Sequence, residues 1–483
     1  MGLPRHQTRK HAAIAEARRA LGPAGVIEAP ADMARHLVDW AGDSHGGALA
    51  VLRPASVGEV QAVLGICRAH RLGVVPQGGN TGLVAGGFGA LVQAPIVLSL
   101  ERMNKIRAID PAGYSMRVEA GCTLQQVKDV AHAADRLFPL ALGAQGSCQI
   151  GGNAATNAGG INVLRYGMAR DLILGLEVVL PDGEVWNGMT GLRKDNRGYD
   201  LKQFFIGAEG TLGVITGVEA KLFPLPCRTE TAYVGLRSFA DALELFARAR
   251  AICSDLLTAF EVIGAECLPM ARLIDPVLVT PVNETLPVHV ILECASSEAI
   301  DLSALVESLL QQSLEGGLIV DAVLARSGRQ TRAFWAIREG LVEGQARRGY
   351  HVRTDLSVRL GDIPRLVDRA RAFVAAEHPG WISQAYGHAG DGNVHFNVLP
   401  PAGMEEVEAR AAGRAITDGL YALVSAIGGS ISAEHGVGRS RRDVVWEGFS
   451  PVHRRLVAAI KSAFDPTGLM NPGCLLPPCE DHP

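Results

Sequence analysis

The chain has 483 residues, so two or three domains are expected rather than a single hydrophobic core. Hydrophobic residues make up 48% and charged residues 20%, as in soluble globular proteins, and the net charge of −4 gives no basic excess for nucleic acid or an anionic membrane. No apolar run approaches the roughly 18 residues of a membrane span, and the N-terminus lacks the apolar core of a secretory signal. Nine cysteines without a C-x-x-C pair predict reduced thiols in a cytoplasmic protein.

Residues 1–45 are predicted to form one or two helices, and an α/β pattern follows. Ser56 and Glu59 form a capping-box signature before an apolar stripe at helical spacing, and the buried strand Val74-Val75 follows that helix. The strand leads into a glycine-dense loop. Successive backbone N–H groups with little side chain around them form an anion-binding nest, so this loop is a candidate diphosphate site, with a tight solvated turn as the alternative. The loop consists of Pro76, Gln77, Gly78, Gly79, Asn80, Thr81 and Gly82.

Further strands are predicted over residues 96–100 and 114–120, and Thr123 is predicted to cap a helix. Residues 143–160 contain six glycines and two asparagines among small, uncharged residues. Because a flexible linker carries more serine and charge, this stretch is predicted to be a buried loop packed against a large ligand.

A hairpin is predicted around Pro181-Asp182-Gly183, and a second small-residue loop, residues 204–215, leads into another strand. No G-x-G-x-x-G follows a strand and no P-loop motif is present, so a nicotinamide Rossmann domain and a P-loop nucleotidase are disfavoured. Residues 222–226 are a candidate domain boundary. Beyond them, alternating strand and helix patterns predict an antiparallel sheet covered on one face by helices.

A candidate metal site follows in this second region. His388 and His395 lie in a glycine-rich stretch, and Glu434 is followed directly by His435. Two imidazoles and a carboxylate are a donor set for a divalent metal, with Zn²⁺ favoured and Mn²⁺ or Fe²⁺ as competitors. Three protein ligands leave positions for a substrate, and His435 is a candidate general base because imidazole titrates near neutral pH. Asp391, between two glycines, is expected to form a turn rather than to bind metal.

Six motifs in order, from the Pro76–Gly82 loop to Asp465-Pro466 and Asn471-Pro472, resemble the FAD-linked 2-hydroxy-acid dehydrogenases of the vanillyl-alcohol-oxidase (PCMH) type. D-2-hydroxyglutarate, D-lactate and glycolate dehydrogenases are similar in pattern. The resemblance implies an α+β fold in which a PCMH-type FAD-binding domain of two α+β subdomains precedes a substrate domain. The implied segments are an N-terminal helical segment at 1–45, the FAD-binding domain at 46–226, the substrate domain at 227–430, and a segment at 431–483 that returns to the flavin.

The resemblance also implies the cofactor residues. The diphosphate lies on the Pro76–Gly82 loop, and two further loops with Asn471 line the flavin ring. Asn80 stands in the first loop, where some relatives carry a histidine that binds FAD covalently, so non-covalent FAD is expected. The implied ring-lining residues are Gly143, Ser147, Ile150, Gly151, Gly152, Thr156, Asn157, Gly159, Gly160, Glu209, Gly210, Ile215 and Asn471.

The substrate residues implied are Arg338, Arg353, Asn397 and His388, because a guanidinium binds a carboxylate in bidentate fashion and Asn397 can position it. Two cations favour a dicarboxylic substrate such as D-2-hydroxyglutarate or D-malate over D-lactate. Val342 replaces the hydroxyl residue of 2-hydroxyglutarate enzymes, which weakens that preference. The family's final Asn-Pro-Gly-Lys also differs, since Cys474 replaces the lysine.

The favoured function is therefore metal-assisted oxidation of a D-2-hydroxy acid by FAD. The electrons would pass to an external acceptor such as an electron-transfer flavoprotein, a quinone or a cytochrome, and a homodimer is the assembly considered. The competing hypotheses are a glycolate-dehydrogenase-type subunit, a non-catalytic FAD subunit that relays electrons, and a metal-dependent hydrolase that uses the same histidines.

Overall fold

The structure, a computed structural model, describes residues 5–40, 42–90 and 94–477. Cys479 and the outer ends of the predicted segments 1–45 and 431–483 lie outside the described residues. The chain divides into two compact units, the first within residues 1–159, 168–224 and 434–483 and the second within residues 160–167 and 225–433. None of the described helices is long and apolar enough to cross a membrane.

The described helices and strands are numbered in chain order. The helices are α1 (Arg5–Leu21), α2 (Pro30–Met33), α3 (Val57–His70), α4 (Leu124–Ala133), α5 (Ile150–Ala155), α6 (Val163–Tyr166), α7 (Ala169–Leu172), α8 (Lys202–Phe205), α9 (Phe239–Cys253), α10 (Leu268–Ile274), α11 (Leu302–Glu315), α12 (Gly328–Arg348), α13 (Ile363–Glu377), α14 (Glu406–Ala426), α15 (Arg442–Gly448) and α16 (Pro451–Phe464). The strands are β1 (Val26–Ile27), β2 (Ala50–Leu52), β3 (Val74–Gln77), β4 (Ile96–Ser99), β5 (Ile106–Asp110), β6 (Ser115–Glu119), β7 (Arg136–Leu137), β8 (Ile173–Val179), β9 (Val185–Asn187), β10 (Val214–Lys221), β11 (Phe223–Pro224), β12 (Arg228–Leu236), β13 (Leu257–Gly264), β14 (Val288–Ser296), β15 (Asp321–Leu324), β16 (Leu356–Ser357), β17 (Ile382–Gly387) and β18 (Asn393–Leu399).

The first unit begins with a four-stranded sheet in the order β1-β2-β4-β3, in which β2, β4 and β3 are parallel. Helix α3 connects β2 to β3, as parallel strands require. Its predicted cap is confirmed, because the Ser56 hydroxyl accepts the Glu59 N–H at 3.2 Å and the Glu59 carboxylate accepts the Ala55 N–H at 2.8 Å. The predicted strand at Val74 is also confirmed, so the glycine-dense loop starts at the end of a buried parallel strand.

A five-stranded antiparallel sheet in the order β5-β6-β10-β8-β9 completes the first unit's main framework, and β7 pairs with β11 beside it. The predicted hairpin is confirmed by the antiparallel pairing of β8 with β9 and by the Gly183 N–H bond to the Leu180 carbonyl. Both parts of the unit are mixed α and β, in agreement with the predicted fold class.

The loop predicted over residues 143–160 is wrong in its centre, where α5 forms. Glycine has low helix propensity, which is why Gly151 and Gly152 favoured a loop. Packing overrides that preference, because a Cβ at Gly151 would lie 2.6 Å from the Cβ of Ala120, so only glycine lets α5 approach the end of β6 this closely. The stretch is therefore a short helix with glycine-rich flanks.

The second unit contains a seven-stranded antiparallel sheet in the order β15-β12-β14-β13-β17-β18-β16. Helices pack on both faces, which corrects the expectation of one covered face. On one face Phe246 of α9 contacts Phe260 of β13, with ring centroids 5.2 Å apart. On the other face α10 and α12 join a buried apolar cluster with Tyr233 and Ile263 of the sheet. The residue after Phe260, Glu261, therefore points to the α12 face.

Helices α10 and α12 approach each other closely at two glycines of α12. A Cβ at Gly344 would lie 2.0 Å from the carbonyl oxygen of Met270, and one at Gly340 would lie 3.3 Å from the Cβ of Ala271. This close approach fixes the position of α12 over the sheet. The same helix carries Arg338 and Gln345, both of which are buried.

Gly344→Ala is expected to lower the free energy of unfolding by about 1–3 kcal/mol, because the added methyl group overpacks the α10–α12 contact. Denaturant unfolding of the purified protein measures the change. Gly65→Ala in α3 is the matched control, since a Cβ there meets no atom within 4 Å and alanine raises helix propensity by up to about 1 kcal/mol. Equal stability of the two variants would contradict the packing argument.

Candidate functional site

A large cleft opens in the first unit where three glycine-rich segments meet. Its cavity volume is about 330 Å³, with further space open to solvent, and this volume falls within the roughly 300–1,000 Å³ of small-molecule pockets. The Pro76–Gly82 loop forms one wall, the 142–159 segment another, and residues 205–215 a third. The cleft is thus bordered mainly by backbone and small side chains.

Most residues predicted from the resemblance to bind the cofactor line this cleft. Those that do not are Ser147, Ile150, Asn157, Gly160 and Asn471. Sequence reasoning did not single out several other lining residues. Among them, the run from Leu83 to Phe88 continues the first glycine loop, and its two glycines could have marked it as part of the binding site. Lining residues outside the stretches predicted to bind the cofactor include Leu83, Val84, Ala85, Gly86, Gly87, Phe88, Leu100 and Leu142.

The amide side chains of the first loop bind other parts of the protein. Gln77 is bonded through Oε1 to Nδ1 of the buried His36 at 2.5 Å and donates through Nε2 to the carbonyls of His36 and Gly87. Asn80 donates to the carbonyl of Val38 at 2.7 Å. These bonds tie the loop to the N-terminal segment. The loop's contribution to the cleft is therefore mainly its backbone N–H groups.

The first two loops contact each other through bare backbone. A Cβ at Gly79 would lie 2.0 Å from the carbonyl oxygen of Ser147, and one at Gly78 would lie 3.4 Å from the Cα of Gly152. Side chains at these positions would separate the two walls. Glycine is required here for the close approach rather than for flexibility.

Glu209 connects the third wall to the C-terminal segment. Its carboxylate, 8% exposed, accepts the backbone N–H groups of Val437 and Gly438 at 2.8 Å each, and the Cys474 thiol lies 3.4 Å away. Burial raises the pKa of Glu209, although these bonds oppose the shift. Asn471 donates to the Glu209 carbonyl at 2.7 Å. Asn471 therefore acts behind the cleft wall.

The hydrogen bonds of Glu209 also fix the segment that carries two predicted site residues. Glu434 and His435 line the cleft, with 3.8 Å between the Glu434 carboxylate and His435 Nε2. At the position of the family's lysine, burial and the neighbouring Glu209 raise the pKa of the Cys474 thiol. A neutral thiol thus contacts Glu209 at this position.

In the second unit, the α12 face of the sheet carries a row of polar side chains. The pairing of β13 with β17 and of β17 with β18 puts Glu261, His388, His395 and Asn397 on that face. The two imidazole centroids are 5.5 Å apart, and His388 Nδ1 lies 2.5 Å from a carboxylate oxygen of Glu261. His395 Nδ1 lies 4.0 Å from a carboxylate oxygen of the buried Asp355.

Arg338 reaches this row from α12. Its Nε donates to the second carboxylate oxygen of Glu261 at 2.7 Å, and its guanidinium lies over the ring of Tyr386, 4.8 Å from the centroid. Burial alone raises the pKa of Glu261, but the charges of His388 and Arg338 outweigh it and lower the pKa to about 2. Glu261 is ionised and binds two predicted site residues at once.

Sequence reasoning missed Glu261 and Asp355. Glu261 is the single charged residue in the apolar strand Leu257–Gly264, every residue of which is buried. A buried charge needs a partner, so a lone glutamate in an apolar strand could have predicted a charged or hydrogen-bonded site at Glu261. Asp355 accepts a hydrogen bond from the Asn393 amide at 2.9 Å, which orients it beside the strand that carries His395.

Asn397 and Arg353 lie in the second unit with defined partners. The Asn397 amide group donates to Gln345 at 2.9 Å and to the Tyr386 hydroxyl at 3.1 Å, and its oxygen accepts the Thr354 N–H. Burial raises the pKa of Tyr386 to about 12, so its hydroxyl is neutral. Arg353 donates through Nε to His351 at 3.1 Å. The substrate roles of Asn397 and Arg353 stay predictions.

The two units offer different chemistry. The first has a cleft of backbone N–H groups, with Glu434 and His435 at its wall. The second has imidazoles beside carboxylates, which suit a divalent cation, and a buried guanidinium, which suits a carboxylate. Together these residues can hold an anionic cofactor, a metal and a small acid.

Comparison with known proteins matches two family models to the chain. The family model described as "FAD binding domain" matches residues 48–188, and the one described as "FAD linked oxidases, C-terminal domain" matches residues 225–475. Mitochondrial D-2-hydroxyglutarate dehydrogenase of Bos taurus is 40% identical over 457 residues, covering 94% of this chain and 82% of that protein. The D-2-hydroxyglutarate–pyruvate transhydrogenase of Saccharomyces cerevisiae is 33% identical, covering 92% and 90%.

Among solved structures, p-cresol methylhydroxylase with bound substrate superposes with a TM-score of 0.78 at 18% identity, covering 97% of this chain and 96% of that one. At this identity the likeness concerns the fold. It agrees with the fold class expected from the glycine-rich motifs.

Gly79→Ala is expected to weaken binding of the flavin by about tenfold or more, because its methyl group would push the first loop away from Ser147. The ratio of flavin to protein absorbance after gel filtration, with titration of free FAD, measures the change. Gly146→Ala in the neighbouring loop is the control, since a Cβ there meets nothing within 4 Å. If Gly79→Ala retains flavin as well as Gly146→Ala does, the close contact does not shape the cleft.

Proposed function

Because the chain belongs to the FAD-linked D-2-hydroxy-acid dehydrogenases of the vanillyl-alcohol-oxidase type, we propose that it oxidises D-2-hydroxyglutarate to 2-oxoglutarate. The observation that carries the proposal is the row of Arg338, Glu261 and His388, which holds a carboxylate-binding group beside a metal-binding group. A 2-hydroxy acid has the matching pair of groups, a carboxylate next to a hydroxyl. The names of the bovine and yeast relatives support the five-carbon dicarboxylate as the substrate.

The cleft of the first unit fits FAD. Its walls at Gly78 and Gly79 are bare backbone, and the three segments predicted to bind the cofactor border it. Backbone N–H groups of the first loop would hold the diphosphate, and non-covalent binding is proposed because that loop contains neither histidine nor cysteine. When bound, FAD supplies the acceptor for the hydride of the alcohol carbon.

A divalent metal, with Zn²⁺ favoured, is proposed to bind to His388, His395 and Glu434. The donor chemistry fits, because Nδ1 of His388 faces a carboxylate, the outer contact typical of metal-binding histidines. The metal would stabilise the negative charge that develops on the substrate oxygen.

The remaining steps belong to side chains of this chain. Arg338 and Arg353 are proposed to bind the two carboxylates of the substrate, and Asn397 to orient it from the Gln345–Tyr386 network. His435 is proposed to accept the hydroxyl proton. Its place on the wall of the cofactor cleft supports this role, because proton and hydride leave neighbouring atoms of the substrate.

The electron acceptor is proposed to be external, an electron-transfer flavoprotein, a quinone or a cytochrome. The yeast relative is named a transhydrogenase with pyruvate, which makes a 2-oxo acid a further candidate. A cytoplasmic location is also proposed. The described cysteines are all free thiols, which supports a reducing compartment, although the bovine relative is named mitochondrial.

Anaerobic mixing with a panel of 2-hydroxy acids tests the substrate. D-2-hydroxyglutarate is expected to bleach the flavin absorbance faster than D-lactate or glycolate, because two cations bind its two carboxylates. It is expected to act faster than D-malate because the shorter chain of D-malate brings the two carboxylates closer together than the proposed pair of arginines requires. L-2-hydroxyglutarate is expected to leave the spectrum unchanged. Rapid bleaching by D-lactate alone would instead assign the monocarboxylate, and no bleaching by any acid would refute the dehydrogenase function.

Removal of metal tests the assisted mechanism. Treatment with a chelator is expected to lower the rate of flavin reduction by D-2-hydroxyglutarate at least about 100-fold, because an unaided alcohol is far too weak an acid to lose its proton at neutral pH. Zn²⁺ or Mn²⁺ is expected to restore the rate, and flavin content is expected to stay constant. An unchanged rate in protein shown by elemental analysis to be metal-free would contradict metal assistance.

A further inference from the structure

Glu261 contacts two residues of the proposed site, but the proposed reaction assigns no role to Glu261 itself. It lies in the middle of β13, is 1% exposed, and has one carboxylate oxygen on His388 and the other on Arg338. We propose that Glu261 is a positioning residue that fixes the metal-binding nitrogen of His388 and the direction of Arg338 together. The inference rests on the proposed function, because it assigns the metal to His388 and the substrate carboxylate to Arg338.

The strand register explains why Glu261 meets His388. Val262 pairs with Gly387 and Ile263 with Tyr386, so the residue before Val262 falls opposite the residue after Gly387. Glu261 and His388 lie on the face of the sheet that α12 covers, and the side chain of Arg338 extends from α12 to that face. An apolar residue at this buried position would stabilise the sheet at least as well as an ion pair does. The carboxylate is therefore better explained by what it binds than by stability.

The bond to His388 determines which ring nitrogen can bind a metal. An ionised carboxylate only accepts hydrogen bonds, so Nδ1 of His388 must carry the proton that lies between the two groups. In the neutral imidazole, the lone pair is then on Nε2. Nε2 is consequently the ligating atom, and rotation of the ring is restrained by the 2.5 Å contact.

The bond to Arg338 determines how that side chain meets a carboxylate. Nε donates to Glu261, and the guanidinium plane lies over the Tyr386 ring, whose hydroxyl donates to Gln345 at 3.0 Å. Glu261 thus holds the Nε edge of the guanidinium, and the Tyr386 ring covers one of its faces. The Nη groups would therefore bind the substrate carboxylate. One carboxylate therefore orients the groups for both the metal and the substrate, and loss of that carboxylate affects both.

Glu261→Gln separates this role from a purely structural one. Glutamine has the same shape, but its oxygen can accept from one partner only, and its NH₂ group is directed at the other. Facing Nδ1, the NH₂ group would favour the His388 tautomer that carries its proton on Nε2. Affinity for Zn²⁺, measured by competition with a chromogenic chelator, is expected to fall about 10–100-fold. The KM for D-2-hydroxyglutarate is expected to rise about tenfold or more at saturating metal, with flavin content unchanged.

Glu293→Gln is the matched control. Glu293 lies in β14 of the same sheet, and its carboxylate also accepts two hydrogen bonds, from Thr231 and from the Trp335 indole at 2.9 Å each. Neither donor belongs to the proposed site. Both bonds go to one oxygen, which glutamine keeps, so this variant removes a buried carboxylate from the same sheet while its Zn²⁺ affinity and KM are expected to stay at the wild-type values.

The outcomes are distinguishable. Glu261→Gln with wild-type Zn²⁺ affinity and KM, whatever its melting temperature, would overturn the positioning role and leave the proposed function intact. Equal losses of Zn²⁺ affinity in Glu261→Gln and Glu293→Gln would also overturn it, since the effect would then be structural. A wild-type protein that binds no metal and is bleached by no 2-hydroxy acid would overturn the proposed function and this inference with it.

Discussion

The hydrogen bonds that Glu209 accepts from Val437 and Gly438 hold the last part of the chain against the cofactor cleft. A buried carboxylate without partners is strongly destabilising, and these backbone N–H groups are its partners. The same contacts bring Glu434 and His435 to the cleft wall, and the Glu209 carbonyl receives the Asn471 amide. Glu209, which was predicted only as a cofactor-binding residue, thus connects the cleft to the segment that carries the proposed base.

Two buried glutamates are stabilised in opposite ways. Burial raises the pKa of Glu209, whose direct partners are backbone N–H groups and a thiol, with Arg439 acting on it only weakly. Burial also acts on Glu261, but this residue lies between Arg338 and His388, whose charges lower its pKa. A neighbouring charge outweighs desolvation where backbone dipoles do not. The protein accordingly keeps a fixed negative charge in the second unit, where cationic groups have to be oriented. In the first unit, where an anionic cofactor is expected, Glu209 has a raised pKa and accepts a proton more readily than Glu261 does.

Structural features set by neighbouring residues in the sequence were predicted from the sequence. The glycine loop after the buried strand at Val74 and the helix caps at Ser56 and Thr123 follow from spacing alone. The pairing of segments far apart in the sequence was not predicted. Glu261 precedes His388 by more than a hundred residues, and only the register of β13 against β17 makes them neighbours. The helix α5 was missed because packing of Gly151 on Ala120 outweighs local propensity.

Neither compact unit is a continuous stretch of chain. Residues 160–167 belong to the second unit, where a Cβ at Gly390 would touch Leu164, while residues after 433 return to the first. During synthesis the first unit therefore cannot finish folding until the segment that begins at Glu434 has left the ribosome. Until then the cleft would lack the wall that Glu434 and His435 provide, so uptake of the cofactor is expected to follow synthesis of this segment.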